Sequence, residues 1–266
     1  MKSSSSRRNP RNAAIRTPDG LDQVYGVHAL ESLLERGEAP RELWVQQGAG
    51  NRLKDVVANA QVSGARIKEQ PREVLDQLTQ GAAHQGVVAF CAPLTPEGEE
   101  SLWLRLRAWH APTPPLLLVL DGVTDVHNFG ACLRSADAAG AHGVIVAKDK
   151  AAPLNATVRK VACGAAEVVP VYQVTNLSRT LAKLKDAGVW ITGTAGEAEA
   201  SVFEIDMTGP TALVMGEEGK GMRRLTREAC DNLAKLPMAG QVSSLNVSVA
   251  TGICLFEAVR QRQLAS

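Results

Sequence analysis

The stretch LLLVLDGVTDVHNFGACLRSADAAGAHGVIVA, residues 116–147, decides the fold. It opens on a run of large aliphatic residues without alternation and turns through DGVTD. It then enters FGACLRSADAAG, whose apolar residues recur at helical spacing, and ends on GVIVA, a second unbroken apolar run. Unbroken runs suit strands covered on both faces, the habit of parallel sheets, and a helix between two of them is the crossover that parallel pairing needs. Downstream, AEVVPVY, VWITGT, TALVMG and KLPM add strand-like runs, separated for the most part by helical patterns at PLNATVRKVACG, LSRTLAKLKDAG and RRLTREACDNL. The expectation is a doubly wound parallel-sheet α/β domain over residues 115–266.

Upstream, residues 21–92 read as a smaller layered α/β unit. VYGVHALESLLERG is helical up to Gly37; ELWVQQ, ARIKEQ and GVVAFCA are strands; LKDVVANAQVSG and PREVLDQLTQG are helices. Residues 93–114 break the rhythm with prolines and an acidic cluster, and read as a linker with one short helix at SLWLRLRAW, docked by Trp103 and Trp109. All the chemical motifs described below follow this linker, so a fragment beginning near Pro114 is expected to be self-sufficient. Residues 1–20 hold almost no large apolar side chain and read as a disordered basic tail.

Composition narrows the functional classes. With 266 residues, 45% hydrophobic and 21% charged, the chain can bury a core and is not globally disordered. No apolar run approaches the ~20 residues of a bilayer-spanning helix, and the N-terminus lacks a secretory apolar segment, so a cytoplasmic location without a membrane partner is expected. Five scattered cysteines, none in a CxxC pair, argue against a disulfide framework and against a metal site, and read as buried thiols. The first 18 residues carry five basic side chains and no acid, and the rest holds 24 basic against 28 acidic. A body that is mildly acidic binds nucleic acid only through a local patch, for which Lys148, Lys150, Arg159 and Lys160 are candidates. The last helix, from about Ser243 to Gln261, carries two apolar stripes, so one face is expected on its own sheet and the other on the sheet or on a second subunit.

Ligands of open α/β sheets sit beyond the carboxyl ends of strands. Neither the P-loop pattern nor G-x-G-x-x-G is present, which disfavours a P-loop NTPase and an ordinary dinucleotide dehydrogenase. Three segments stand out instead. DGVTDVHNFGACLRSADAAG carries Asn128 and Arg134; LVMGEEGKGM has glycines at 216, 219 and 221; LPMAGQVSSLNVSVA brings Ser243, Ser244 and Asn246 to a helix start. Each alone also reads as a plain turn or cap.

Taken together, NFGACLRSADAAG, LVMGEEGKGM and LPMAGQVSSLNVSVATG resemble the three motifs of the SpoU (TrmH-like) branch of the SPOUT RNA 2'-O-methyltransferases. VYGVHALESLLERG, HQGVVAF, NATVRKVACGAAE, MRRLTREACD and ATGICLFEAVRQR extend the resemblance to the family's ribosomal-RNA guanosine-2'-O-methyltransferases. The resemblance implies a trefoil knot in the C-terminal domain, S-adenosyl-L-methionine as cofactor and a homodimer. The implied partner is 23S ribosomal RNA or the precursor large ribosomal subunit, with a guanosine of the peptidyl-transferase-centre P-loop as target. A transfer-RNA or other ribosomal nucleotide is the alternative within the class, and a non-catalytic RNA-binding assembly factor the alternative outside it. The N-terminal unit resembles the small α/β ribosomal-protein-like domain with which the ribosomal-RNA enzymes bind their substrate and which the shorter transfer-RNA methyltransferases lack, and that favours ribosomal RNA.

Carried over residue by residue, the resemblance makes Arg134 the catalytic arginine, with Asn128, Glu218, Ser244 and Asn246 around it. Gly216, Leu236, Met238 and Leu245 match cofactor-binding positions, and Thr194, Ala195 and Gly196 complete the pocket. Guanidinium is hardly ever deprotonated, so Arg134 is better suited to clamping the target's phosphate than to acting as a base. His127 and Asp125 are rival bases that also read as turn and capping residues. Val126 stands where many relatives have proline, which bears only on the rigidity of that loop.

Overall fold

The computed structural model describes residues 17–50 and 53–265, so most of the basic tail lies outside the described residues. The chain divides into two units, one up to Ala92 and one from Pro93.

The first unit runs β1 (Asp22–Tyr25), α1 (Val27–Glu35), β2 (Glu42–Gln46), α2 (Lys54–Val62), β3 (Arg66–Gln70), α3 (Arg72–Thr79) and β4 (Val87–Cys91). The sheet order is β1-β4-β2-β3, with β4 antiparallel to both neighbours and β2 parallel to β3. Side chains alternate across a strand. Val87, Ala89 and Cys91 therefore join Leu30, Leu33 and Leu43 in one core, while Val88 and Phe90 join Leu75 and Leu78 in the other. Strand β1 was not evident in the sequence, where Val24 and Tyr25 read as the start of α1. Gly26, at φ 95°, ends the strand and starts the helix within one residue, a conformation open to glycine.

The second unit runs β5 (Glu97–Gly98), α4 (Glu99–Arg107), β6 (Leu116–Asp121), α5 (Val126–Ala138), β7 (Gly143–Ala147), α6 (Ala156–Ala162), α7 (Ala165–Val168), β8 (Val171–Val174), α8 (Leu177–Asp186), β9 (Trp190–Thr194), β10 (Thr211–Gly216), α9 (Arg224–Glu228), β11 (Asn232–Ala234) and α10 (Val247–Ala265). Its seven strands are all parallel, in the order β11-β9-β10-β6-β7-β8-β5. Leu116, Leu118 and Leu120 face a core shared with α5, α6 and α10, whereas Leu117 and Val119 face one shared with α4 and α8. The doubly wound expectation holds.

Four expectations are corrected. The segment 93–114 is not a free linker: Glu97 and Gly98 pair with Tyr172 and Gln173, and Leu102 is buried in the second unit's core. AEVVPVY is not one strand. Cys163 and Gly164 both take left-handed backbone, the chain turns into α7, and the strand starts only at Val171. KLPM is loop beyond a single bridge of Lys235 to Ser201, because β11 ends at Ala234 and Pro237 has no N–H for a ladder. Arg159 does not join a basic patch: it is buried and held in a two-pronged ion pair by the buried Glu167, one N–H···O distance being 2.9 Å. Lys148 and Lys150 are exposed.

The final helix starts at Val247, after Asn246, whose Oδ1 accepts from the Ser248 N–H at 2.9 Å as an N-cap does. Its far end is fastened by Arg262, which donates to the carbonyls of Met207, Gly209, Pro114 and Pro115. Val247, Cys254, Leu255 and Ala258 are buried, while Val249 and Phe256 stay 51% and 49% exposed.

His142, just before β7, accepts from the Leu116 N–H at 3.0 Å and meets the Trp109 ring edge-on at 4.4 Å. Burial first, and then the charge of Arg262, hold its pKa below the ordinary value of 6.5. On acidification the unfolded chain therefore takes up this proton before the folded one does. The contribution is complete above pH 6.5 and drains away as pH falls through the lowered value. Calorimetry should record a larger drop in Tm between about pH 7 and pH 5 for wild type than for His142→Asn, which keeps an acceptor without titrating. Equal drops would remove His142 as the source.

Candidate functional site

The carboxyl ends of β9, β10 and β11 open onto a pocket of about 390 Å³, within the ~300–1,000 Å³ typical of small-molecule sites. Thr194 ends β9 and Ala195 and Gly196 follow it, Gly216 ends β10, and Leu236, Met238 and Leu245 come from the long loop between β11 and α10. All seven residues assigned to the cofactor line this one cavity, together with Glu218 and Ser244 of the catalytic group.

Local chemistry explains the shape. Thr194 donates its hydroxyl to the Val214 carbonyl at 3.2 Å, and the Ala195 N–H donates to the Ala234 carbonyl at 2.9 Å, which joins the floor of the pocket to three strands. Beyond Gly216 the chain makes a tight reversal in which Glu217 and Gly221 exchange main-chain hydrogen bonds of 3.1 and 2.8 Å. A Cβ on Gly216 would stand 2.2 Å from the Gly221 carbonyl carbon and 2.3 Å from the Met222 nitrogen. The exit of the reversal is fixed by the buried Asp121, at the end of β6, which accepts from the Arg223 N–H at 2.8 Å and from its guanidinium. Apolar Met215, Leu236 and Leu245 and polar Glu217, Glu218 and Lys220 line the same cavity. An adenosine with an amino-acid tail needs that combination of an apolar slot, close backbone and a polar mouth, so the residues present fit S-adenosylmethionine.

Asn246 joins the pocket to the first motif. Its Nδ2 donates to Asn128 Oδ1 at 2.9 Å and to Glu218 Oε2 at 3.4 Å, while its Oδ1 caps α10. Asn128, Glu218 and Asn246 thus come together beside the cavity, and Ser244 lines it. Arg134 lies further along α5, with its side chain exposed, and its Nη1 points to Cys163 Sγ at 3.7 Å. Asp125 accepts from the Asn128 N–H at 2.8 Å as the N-cap of α5, which agrees with its reading as a capping residue; His127 is exposed.

Sequence reasoning missed Glu197 and Arg227, which form an ion pair on the pocket wall. A main-chain hydrogen bond and Arg227 hold Glu197 below the usual carboxylate range. Thirty positions separate the two residues, so only the folded chain reveals the pair. The expectation of five buried thiols also fails: Cys91, Cys132 and Cys254 are buried, Cys230 is half-buried and Cys163 is exposed.

Comparison with known proteins follows these features. The profile of the SpoU rRNA Methylase family matches residues 115–256, and that for RNA 2'-O ribose methyltransferase substrate binding matches residues 23–97. The 23S rRNA (guanosine-2'-O-)-methyltransferase RlmB of Pseudomonas putida is 56% identical over 92% of this chain and 98% of its own. RlmB of Escherichia coli is 54% identical over 91% of this chain and 99% of its own. Among solved structures, the SpoU methyltransferase AviRb from Streptomyces viridochromogenes, in complex with AdoMet, is similar with a TM-score of 0.73 at 26% identity, covering 92% of each chain. The Aquifex aeolicus TrmH/SpoU tRNA modifying enzyme is similar with a TM-score of 0.54 at 35% identity, over 62% of this chain and 85% of its own.

Proposed function

The chain belongs to the SpoU rRNA methylase family, and from that premise we propose that it uses S-adenosylmethionine to methylate the ribose 2'-oxygen of a guanosine in 23S ribosomal RNA. The observation that carries the reading is the convergence of the second and third motif loops, with the loop after β9, on one cavity, to which Asn246 ties Asn128 of the first motif by a hydrogen bond. The alternative of a transfer-RNA substrate is less favoured, because the 23S rRNA enzyme RlmB of Pseudomonas putida matches 92% of this chain whereas the TrmH/SpoU tRNA modifying enzyme covers 62% of it.

When bound, S-adenosylmethionine supplies a methyl group activated on a sulfonium. The chain's part is to bind and align. The loops around Gly216, Leu236 and Leu245 would hold the adenosyl group largely by backbone. Asn128 and Asn246, fixed by their mutual hydrogen bond, border the approach of the target ribose. Arg134, with its charge at the surface, clamps the target's phosphate, and the proton of the 2'-hydroxyl passes to that phosphate or to water. No covalent nucleophile is required.

The first unit grips a folded RNA element, since RNA is read by shape and by splayed bases. A second copy of the chain covers the apolar face of α10 marked by Val249 and Phe256, giving a homodimer. The crossing loops of the second unit form the family's trefoil knot. No helix among the described residues is long and apolar enough to cross a membrane, and a ribosomal substrate places the work in the cytoplasm.

The experiment compares the full chain with a fragment beginning at Pro93. A start near Pro114 would delete β5 and uncover core residues that pack on Leu102. The Pro93 fragment is expected to bind S-adenosylmethionine like the full chain and to methylate 23S ribosomal RNA at least about tenfold more slowly below saturation, a loss of ~1.4 kcal/mol. Equal rates would take the first unit out of substrate recognition. Mapping 2'-O-methyl groups in a deletion strain identifies the nucleotide, and an unaltered 23S pattern would refute the assignment.

A further inference from the structure

The contact between Arg134 and Cys163 has features that a surface cysteine does not ordinarily have. Cys163 closes α6 with φ 52° and ψ 41°, the left-handed region in which a side chain is disfavoured and glycine is at ease. A residue kept in such a conformation points to a use for its side chain. Its Sγ accepts from Arg134 Nη1 at 3.7 Å and donates to the Lys160 carbonyl at 3.7 Å, so the thiol's direction is set from both sides. The other half of the pairing is as informative. Among the described residues no carboxylate comes within ion-pair distance of Arg134, and Cys163 is its side-chain partner.

From this we infer that Cys163 is a positioning residue, which holds the Arg134 guanidinium ready for the target's phosphate without neutralising it. The inference rests on the reading of Arg134 as the phosphate clamp. An aspartate or glutamate would hold the guanidinium more firmly, but it would compete with the phosphate for the same N–H groups. A thiol is a weak, neutral acceptor that yields when a stronger anion arrives. Such a partner narrows the rotamers of a long, flexible side chain before binding, and alignment gained in advance is rate gained in the chemical step.

The test measures single-turnover methylation of a 23S ribosomal RNA transcript, S-adenosylmethionine affinity by calorimetry, and Tm, all on the full chain. Cys163→Gly removes the thiol while relieving the backbone, so its Tm should equal or exceed that of wild type. Its methylation rate should nonetheless fall about tenfold, with the affinity for S-adenosylmethionine unchanged. Cys163→Ser, which keeps a small acceptor, should stay within threefold of wild type. In an Arg134→Ala background Cys163→Gly should cost nothing further, because the two act as one unit. A Cys163→Gly rate within twofold of wild type, beside an inactive Arg134→Ala, would overturn the inference and leave the role of Arg134 standing. An Arg134→Ala variant that keeps more than a tenth of the wild-type rate would remove the clamp itself, and this inference with it.

Discussion

Arg134→Ala is expected to lower the rate of methyl transfer at least a hundredfold, a loss of ~2.7 kcal/mol of transition-state stabilisation, while S-adenosylmethionine binds as before. The two effects separate because the residue sits on α5, outside the set that lines the cavity, and touches Cys163 rather than any pocket residue. It also makes no buried contact whose loss would unfold the chain, so Tm should move little. Arg134→Lys keeps the charge but not the planar fork, and should recover only part of the rate. Single-turnover assays with saturating RNA and cofactor measure the effect. Turnover above a tenth of wild type would exclude a central role for this guanidinium.

Gly216→Ala should act on the opposite half of the site, weakening cofactor binding and leaving the first unit untouched. The added methyl would meet main-chain atoms at 2.2 and 2.3 Å, not the end of a flexible side chain. The opposing backbone cannot drift away, because the Glu217–Gly221 hydrogen bonds and the Asp121–Arg223 connection hold it from both sides. Overpacking of this kind costs ~1–3 kcal/mol, and a reversal forced open by that amount loses its fit to the adenosyl group, so affinity should fall roughly thirtyfold or more. Gly240→Ala is the control, since its Cβ would meet nothing within 4 Å and the residue does not line the cavity. Calorimetric titration with S-adenosylmethionine decides the matter, and a Gly216→Ala variant that binds within threefold of wild type would refute the steric account.

The sequence was most informative where one physical signal dominated. Strands β6, β7 and β10 are largely aliphatic runs because both faces are covered, and the segments Leu116–Asp121 and Thr211–Gly216 sit where those runs placed them. Signals failed where two competed. Ala166 to Tyr172 reads as strand from its valines, yet its first three residues are helix, because the chain must turn at Cys163 and Gly164 and bring Glu167 onto Arg159. The same ion pair explains the misplacement of Arg159: a charged residue on a short helix reads as solvated unless its partner is known, and the partner lies beyond a turn. In the pocket, the glycines and the Ser-Ser-Leu-Asn run were legible as motifs. Which of them meet at one edge was not, since Asn246 reaches Asn128 across 118 positions.

Strand order also governs the sequence of events during synthesis. β6 sits at the middle of the second sheet, yet one of its neighbours is β10, with Leu116 set against Thr211 about 95 residues later. The other neighbour, β7, is available within one crossover. The N-terminal unit can therefore close while the ribosome is still translating, whereas the central pair of the C-terminal sheet waits until β10 has emerged. Closing a loop that long before its contacts give any return is entropically uphill, and non-local pairings of this kind are slow to form. An enzyme of ribosomal RNA would thus leave its own ribosome with its N-terminal unit folded and its C-terminal sheet still assembling.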